Sequence, residues 1–466
     1  MSEGTVIHWF RRDLRLSDNR ALNLALRSGQ RVLGLFIFDP QILESPFAGA
    51  ARIAFMLKGL RELDRQLQAY GSALWIEIGN PEAILAELTE KLNVQALYMN
   101  KDYTPYARKR DEKVSASLAI PVYSEDDALL VAPPHLLKQD GQAYTVFTPF
   151  YKKWLTLDKT LNENIAIERG PFLESAAIQG KSIPTLAALG FNTSVMIPEA
   201  GEQAARAKLD AFIENRITQY AIGRDVLSPA LEKESASSQL SHHLHLGFIS
   251  IREVYHRARL AEMEASPGGG KSIEAWLREL AWRDFYTHIL YHFPQVKQED
   301  FRNKQIQWQN SEVDFEAWKN GQTGYPIVDA LMRQLKESGW IANRSRMIVA
   351  SFLTKHLLIH WKKGETYFMQ QLLDGDVASN NGGWQWIAGT GTDAQPYFRI
   401  FNPILQSKRF DPQGITIRQW LPELGHLLNE DIHTPWLMKS PPKAYPAPII
   451  DHAWARSRAL QAYNKL

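Results

Sequence analysis

The chain has 466 residues, 45% of them hydrophobic and 22% charged, an ordinary globular composition that excludes collagenous, low-complexity and wholly disordered proteins. That length exceeds what one hydrophobic core organises, so two domains are expected. A net charge of +2 neither requires nor forbids a nucleic-acid partner, and the absence of cysteine excludes disulfides, thiolate nucleophiles, iron–sulfur clusters and Cys-ligated zinc, leaving redox chemistry to a cofactor.

At the N-terminus, Arg11, Arg12 and Arg15 stand where a signal peptide would need its apolar segment. The longest apolar stretches, Val32 to Phe38 and Met347 to Leu353, are too short for a bilayer, so a cytoplasmic protein without membrane attachment is expected. Val6 to Phe10, Val32 to Phe38, Leu74 to Ile78, Ala96 to Met99 and Val122 to Ser124 read as strands. Helical patterns at Ala51 to Ala69 and Pro81 to Leu92 alternate with them. Such alternation predicts an open parallel-sheet α/β domain over residues 1–130. It is Rossmann-like but has no G-x-G-x-x-G fingerprint after any strand.

Residues 131–205 contain Pro133, Pro134, Pro149, Pro171, Pro184 and Pro198 and read as a wandering connector. From 206 to 466 strand signals nearly vanish and an all-α domain is expected. Leu209, Phe212, Ile213, Ile217 and Tyr220 repeat at helical spacing, with Gly223 and Pro229 ending that helix. Ile341 to Trp361, apolar on almost every side, predicts one buried central helix. Eight of the 14 tryptophans fall between Trp276 and Trp386.

In Ile273 to Phe293, Trp276 and Trp282 flank Glu279 at about 60° on either side of the helix axis. Arg283 follows one turn on. The pattern fits either a core helix with a surface ion pair or a pocket whose indole walls surround a desolvated carboxyl. Asp374 to Trp386, DGDVASNNGGWQW, begins like a calcium loop, but the twelfth position is Gln385 rather than a bidentate carboxylate. Its carboxylates, amides and Gly382-Gly383 suit donors to a polar cofactor or a capped loop between helices. Gly268 to Ser272 imitates a P-loop end without its leading glycine or strand and reads as a flexible insertion. His242, His243 and His245 read as helix-surface residues, not metal ligands. The hydroxyls of Ser235 to Ser241 precede a helix near Leu240 and fit N-capping or a diphosphate cradle.

WFRRDLRLSDN from Trp9, VFTPF from Val146, WLRELAWRDFY from Trp276, TGYPIVDALMRQL from Thr323, NRSRMIVASFLTKHLLIHW from Asn343, DGDVASNNGGWQW from Asp374 and FRIFNP from Phe398 run collinearly through nearly the whole chain. Together they resemble the photolyase/cryptochrome family, and within it the class I cyclobutane pyrimidine dimer photolyases of microbes. The resemblance implies a large helical domain that binds FAD and ultraviolet-damaged DNA. Excited reduced, anionic FAD would donate an electron to a flipped-out dimer, the cyclobutane ring would split, and the electron would return. It further implies no obligate protein partner and a monomer.

By that resemblance Tyr220, Ser237, Ser238, Leu240 and Ser241 would hold the diphosphate side of FAD, and Arg346 and Asp374 would pair beside its ring. Asp376 would bond the ring's polar edge, Asn380 would face the nitrogen protonated on reduction, and Glu279, Trp282 and Arg283 would also border it. The lesion pocket would comprise Glu279, Trp276, Trp282, Asn343, Arg344, Met347 and Trp386, with Arg224, Arg399, Gln406 and Lys408 as phosphate contacts at its mouth. Trp384, Trp361 and Trp308 match the family's electron chain from flavin to surface. An antenna pigment in the α/β domain, deazaflavin in preference to folate, would use Arg11, Phe36, Asp39, Asp102 and Arg110. The alternatives are a blue-light receptor of cryptochrome type and a six-four photolyase. Asn380 and Glu279, and a chain that stops at Leu466 without an output tail, favour repair over the former. Asn343 and Met347, where six-four enzymes carry histidines, disfavour the latter.

Overall fold

The computed structural model describes residues 4–160, 171–227, 236–302, 305–394, 396 and 399–464. Pro229, Ser235 and Phe398 lie outside them. Five strands, β1 (Thr5–Phe10), β2 (Arg31–Phe38), β3 (Trp75–Ile78), β4 (Val94–Asn100) and β5 (Val122–Glu125), form one sheet in the order β3-β2-β1-β4-β5, every pair parallel. Parallel strands need crossovers, supplied here by Arg20–Arg27, Ala50–Ala69, Pro81–Lys91 and Pro105–Ser117. These helices cover both faces, which is why β1 and β2 are apolar runs rather than alternating ones. The order reverses between β1 and β4, so the carboxyl ends of those strands mark the topological switch point of the sheet.

The connector is less loose than its prolines suggested. Val32 pairs with Phe172 and Ile76 with Lys181 in isolated bridges at the sheet, and helix Phe147–Leu155 lays Phe147 flat on Trp282 at 3.6 Å and 4°. Beyond it, no strand occurs among the described residues.

Four expectations need correction. The helix through Leu209 ends at Asn215, because Arg216 leaves helical geometry at φ −135°; a 3₁₀ turn (Ile217–Gln219) and a short helix (Tyr220–Gly223) follow. The central apolar stretch is helical only as Asn343–Ser351. It then widens into a π-turn, Phe352–His356, and stops at Leu358, whose φ is +50°. Trp361 therefore starts a separate helix, Trp361–Gln371, N-capped by His360. Gly268 to Gly270 form the first turn of helix Pro267–His292, capped by Ser266, rather than a flexible insertion. His242 and His243 are core residues around Phe55, and burial lowers the His242 pKa to about 4.

The two halves are joined by a dry charge cluster. Asp127 accepts from Arg15 at 2.7 Å and from Arg252 at 2.6 Å, and Arg252 also reaches Asp18 at 3.0 Å. All four side chains are buried. Burial alone would raise the Asp127 pKa, but the two arginines hold it well below the ordinary carboxylate range. Arg252 sits on helix Ile251–Glu264 of the helical half, so the α/β half is fastened to it through ions that cannot be left unpaired. Asp127→Ala is expected to cost about 3–5 kcal/mol, read as a lower urea midpoint than that of the parent chain.

Candidate functional site: a cavity with an indole wall and an ionic floor

A cavity of about 550 Å³ opens in the helical half, within the range of cofactor pockets, roughly 300–1,000 Å³. One wall is helix Pro267–His292, whose Trp276, Glu279, Trp282, Arg283 and Tyr286 share the face turned to the cavity. Phe212 backs Trp276 at 5.1 Å and Phe147 backs Trp282, so both indoles are held rigid from behind. Glu279 pairs with Arg224 at 2.8 Å rather than with Arg283, which donates to the Ala128 carbonyl at 2.7 Å. The pair lines the cavity and is no surface ion pair. Burial pushes the Glu279 pKa up and Arg224 pulls it back, with a net rise, while a third of the side chain stays accessible.

The opposite side carries Asn343, Arg344, Arg346 and Met347 on helix Asn343–Ser351, and Asp374 and Asp376 at the start of helix Val377–Ala388. Arg346 Nη2 reaches both Asp374 oxygens, at 3.1 and 2.8 Å. Asp376 caps its helix through the Ser379 amide at 2.9 Å and receives Arg12 at 2.7 Å. Burial opposes both carboxylates, yet these arginines keep both pKa values below the ordinary range, Asp376 well below it. His245, lowered to about 4 by burial and by Arg12, accepts from Arg12 through Nδ1 at 3.1 Å.

Asn380, one turn into that helix, donates its Nδ2 to the Glu365 carbonyl at 2.9 Å, which leaves its own Oδ1 as the acceptor available to the cavity. Gly382 and Gly383 divide the labour. A Cβ at Gly382 would stand 2.0 Å from the Tyr286 ring, so that glycine serves helix packing, whereas Gly383 opens on free space in the cavity wall. Tyr220, Ser237, Ser238, Leu240 and Ser241 complete the rim, with Arg224 and Trp386.

The residues expected to touch cofactor or lesion thus converge on one cavity, apart from the mouth contacts. Arg399, Gln406 and Lys408 are off its wall. Gln406 and Lys408 ride on helix Pro403–Phe410, whose Phe410 supports the Arg344 guanidinium at 4.6 Å. Of the three chain tryptophans only Trp384 lines the cavity; Trp361 is fully buried behind it and Trp308 half-buried further out. A Cβ at Gly364, three residues after Trp361, would stand 2.2 Å from the Trp384 ring, so Trp384 lies directly on the helix that Trp361 begins.

Arg11, Asp39 and Arg110 are tied into a network of their own, and no antenna residue lines the large cavity. Arg11 reaches Asp111, Arg110 reaches Asp111 and Asp39, Tyr106 donates to Asp39, and Arg11 and Arg110 both lie over Trp9. Phe36 is buried. Asp102 borders a small cavity of about 40 Å³ at the β1/β4 switch point, a volume that suits waters and no ring system.

Sequence reasoning missed Arg12, Tyr286, Trp340 and Glu365. Arg12 stands inside the WFRRDLRLSDN motif, but nothing local says that it reaches residue 376. Among the described residues no cluster of three or more His, Cys, Asp or Glu has metal-binding geometry, and no helix is long and apolar enough to cross a membrane.

An α/β domain joined to a helical domain thus holds an indole-walled cavity of cofactor size with two paired carboxylates in its floor. Two family models match: "DNA photolyase" over residues 6–166 and "FAD binding domain of DNA photolyase" over residues 276–465. The deoxyribodipyrimidine photo-lyase of a Synechococcus species is 42% identical over 99% of this chain and 96% of its own length. That of Escherichia coli is 40% identical over 99% and 98%. Among solved structures, a class III photolyase from Agrobacterium tumefaciens superposes with a TM-score of 0.89 at 35% identity, covering 100% of this chain and 98% of that one. A cryptochrome from a Synechocystis species gives 0.88 at 30%, covering 98% and 99%. The chain belongs to the DNA photolyase family.

Glu365 is buried, its Oε1 accepts from Asn381 at 2.9 Å, and its Oε2 has no partner among the described atoms. Burial raises its pKa from 4.5 to about 7. The folded chain therefore holds this proton more tightly than the unfolded one, and stability present below pH 4.5 is lost as pH rises through about 7, on the order of 3 kcal/mol. Glu365→Gln is expected to flatten that loss, seen as a smaller difference in Tm between pH 5 and pH 8 than in the parent.

Proposed function

We propose that this chain is a deoxyribodipyrimidine photo-lyase that repairs cyclobutane pyrimidine dimers in DNA with blue light. The observation that carries the reading is the convergence of Trp276, Glu279 and Trp282 on the same cavity as Arg346, Asp374, Asp376 and Asn380. The residues fit FAD. Ser237, Ser238 and Ser241 offer hydroxyls to a diphosphate, Gly383 allows backbone approach, and the Asn380 oxygen accepts a ring N–H without bringing a charge. When bound, FAD supplies light-driven transfer of one electron to the dimer and back.

The protein's own residues do the rest. A dimer stacks and pairs poorly, so extruding it costs less than extruding a normal base, and Trp276 and Trp282 recover part of that cost against its faces. Glu279 stands where the dimer's carbonyls gain negative charge, with a raised pKa that suits a hydrogen-bond donor or a shared proton. Asn343 and Met347, four apart on one helix, face it from the other side. Arg344, braced by Asp225 at 2.8 Å, and Lys408 and Arg399 outside the rim give the strand its phosphate contacts. Trp384, Trp361 and Trp308 conduct electrons inward to regenerate the reduced cofactor.

An antenna pigment belongs at the carboxyl edge of the sheet, with deazaflavin the preferred class. The Asp39–Tyr106–Arg110 network would have to open to admit it. An archaeal photolyase from Sulfolobus tokodaii, 35% identical over 99% of this chain and 100% of its own with a TM-score of 0.85, is described with two FAD molecules and the implication of a novel light-harvesting cofactor. The absorption spectrum of pigment released from the purified protein distinguishes the classes.

Purified protein incubated with ultraviolet-damaged thymine oligomers is expected to remove dimers in blue light and not in darkness; no light-dependent loss would leave the receptor reading. Glu279→Ala is expected to lower repair per absorbed photon by about threefold or more at unchanged flavin absorbance, the worth of one hydrogen bond of about 0.7 kcal/mol. Lys408→Ala is expected to weaken damaged and undamaged DNA alike and to reduce the slope of log K against log salt by about 1.

A further inference from the structure

A buried indole N–H usually finds an acceptor, and a backbone carbonyl suffices. Trp318, equally buried beside Trp384, donates to the Val349 carbonyl at 3.0 Å. Trp361 Nε1 donates to a carboxylate, Asp300 Oδ1, at 2.7 Å, as Trp75 does to Glu77 at 3.0 Å and Trp154 to Asp284 at 2.9 Å, but of the three only Trp361 begins the helix on which Trp384 lies. The placement of Asp300 is built. Gln385 Nε2 donates to the carbonyls of Val296 at 3.0 Å and Glu299 at 3.3 Å, its Oε1 accepts from the Phe301 amide at 2.9 Å, and Asn381 Nδ2 donates to Val296 at 3.0 Å. Gln385 follows Trp384 directly, so the helix that presents Trp384 to the cavity also fixes the carboxylate that meets Trp361.

The charges around Trp361 oppose one another. The Lys362 ammonium lies 6.0 Å from its ring centroid and disfavours a positive ring. The His360 ring, 5.4 Å from Trp361 and 5.2 Å from Trp308, has its pKa lowered by burial and brings no such charge at neutral pH. Asp300 is hydrogen-bonded to the indole itself and outweighs the more distant lysine. Burial raises its own pKa, which makes it a better proton acceptor than an exposed aspartate.

Resting on the reading of Trp384, Trp361 and Trp308 as an electron chain, we infer that Asp300 is the positioning residue that makes Trp361 oxidisable, by stabilising the indole radical cation and accepting its Nε1 proton. An electron drawn from Trp384 by photoexcited oxidised flavin would be replaced from Trp361, which would leave Trp361 alone one electron short. Its Nε1–H pair stays on nitrogen while the proton moves to Asp300 Oδ1. When Trp308 supplies an electron the proton returns, and an added thiol reduces Trp308.

The test uses the purified flavoprotein, flavin oxidised, in a Trp308→Phe background where the hole stops at Trp361. Asp300→Asn keeps an acceptor oxygen at the same place but removes charge and basicity. By flash photolysis the yield of long-lived tryptophan radical is expected to fall about tenfold or more, with the remaining transient shifted toward the radical-cation band. Asp300→Glu is expected to restore much of both. Ground-state flavin absorbance reports correct folding. Radical yield and band position unchanged in Asp300→Asn would overturn the inference. Trp361→Phe in the otherwise unaltered chain separates it from the underlying reading: loss of photoreduction supports the chain, and normal photoreduction overturns the chain and the inference with it.

Discussion

Two aspartates two positions apart, Asp374 and Asp376, form the floor of the cavity. Burial disfavours the charged form of each, so each needs its own cation. The cations come from separate places. Arg346 rises from helix Asn343–Ser351, while Arg12 enters from the carboxyl end of β1 in the α/β half. A third, Arg52, spends its guanidinium on the carbonyls of Met369, Leu372 and Phe47, and burial lowers its pKa to about 10. Its Nη1 would stand 2.3 Å from a Cβ at residue 375, which explains the glycine between the aspartates. Asp376 keeps its cation only while the α/β domain is docked, so the Arg15–Asp127–Arg252 cluster, which fastens the two halves, supports the site as well.

This dependence separates what the sequence reveals from what it conceals. The strands and the long helix were legible because their signals are local: continuous β-branched runs between turns, and Trp276, Glu279 and Trp282 on one face of one period. The π-turn at Phe352 was not, since an apolar stretch reads alike whether its carbonyls are met four or five residues on; Leu357 bonds to Phe352 and the strained Leu358 stops the helix. His242 and His243 misled because an imidazole near a serine-rich start looks solvated, while their burial is set by Phe55, far away in the chain.

The site was legible to the extent that it resembles a known family, residue by residue. What pattern could not supply were pairings across long separations. Arg12 meets Asp376, Arg224 meets Glu279, and Phe147 stacks on Trp282. Gln385 shows the limit plainly. Its identity ruled out a calcium loop, but its work is to lace residues 296 to 301 to the helix through three hydrogen bonds.

The protonation pattern beside Asn380 follows from the same electrostatics. A ring that turns anionic on reduction is destabilised by uncompensated negative charge nearby, and the groups behind Asn380 avoid adding any. Glu365 holds its proton up to about pH 7, Asn381 and Gln385 are amides, and Asn380 itself is neutral. On this side of the cavity negative charge lies at Asp374 and Asp376, where arginines meet it, and further back at Asp300, hydrogen-bonded to Trp361 and so placed where positive charge would arise. An aspartate at position 380 would put a carboxyl against the Glu365 carbonyl in place of an amide N–H. It would have to take up a proton, donated to that carbonyl, to be stable there, and on losing that proton it would set an uncompensated negative charge beside the ring.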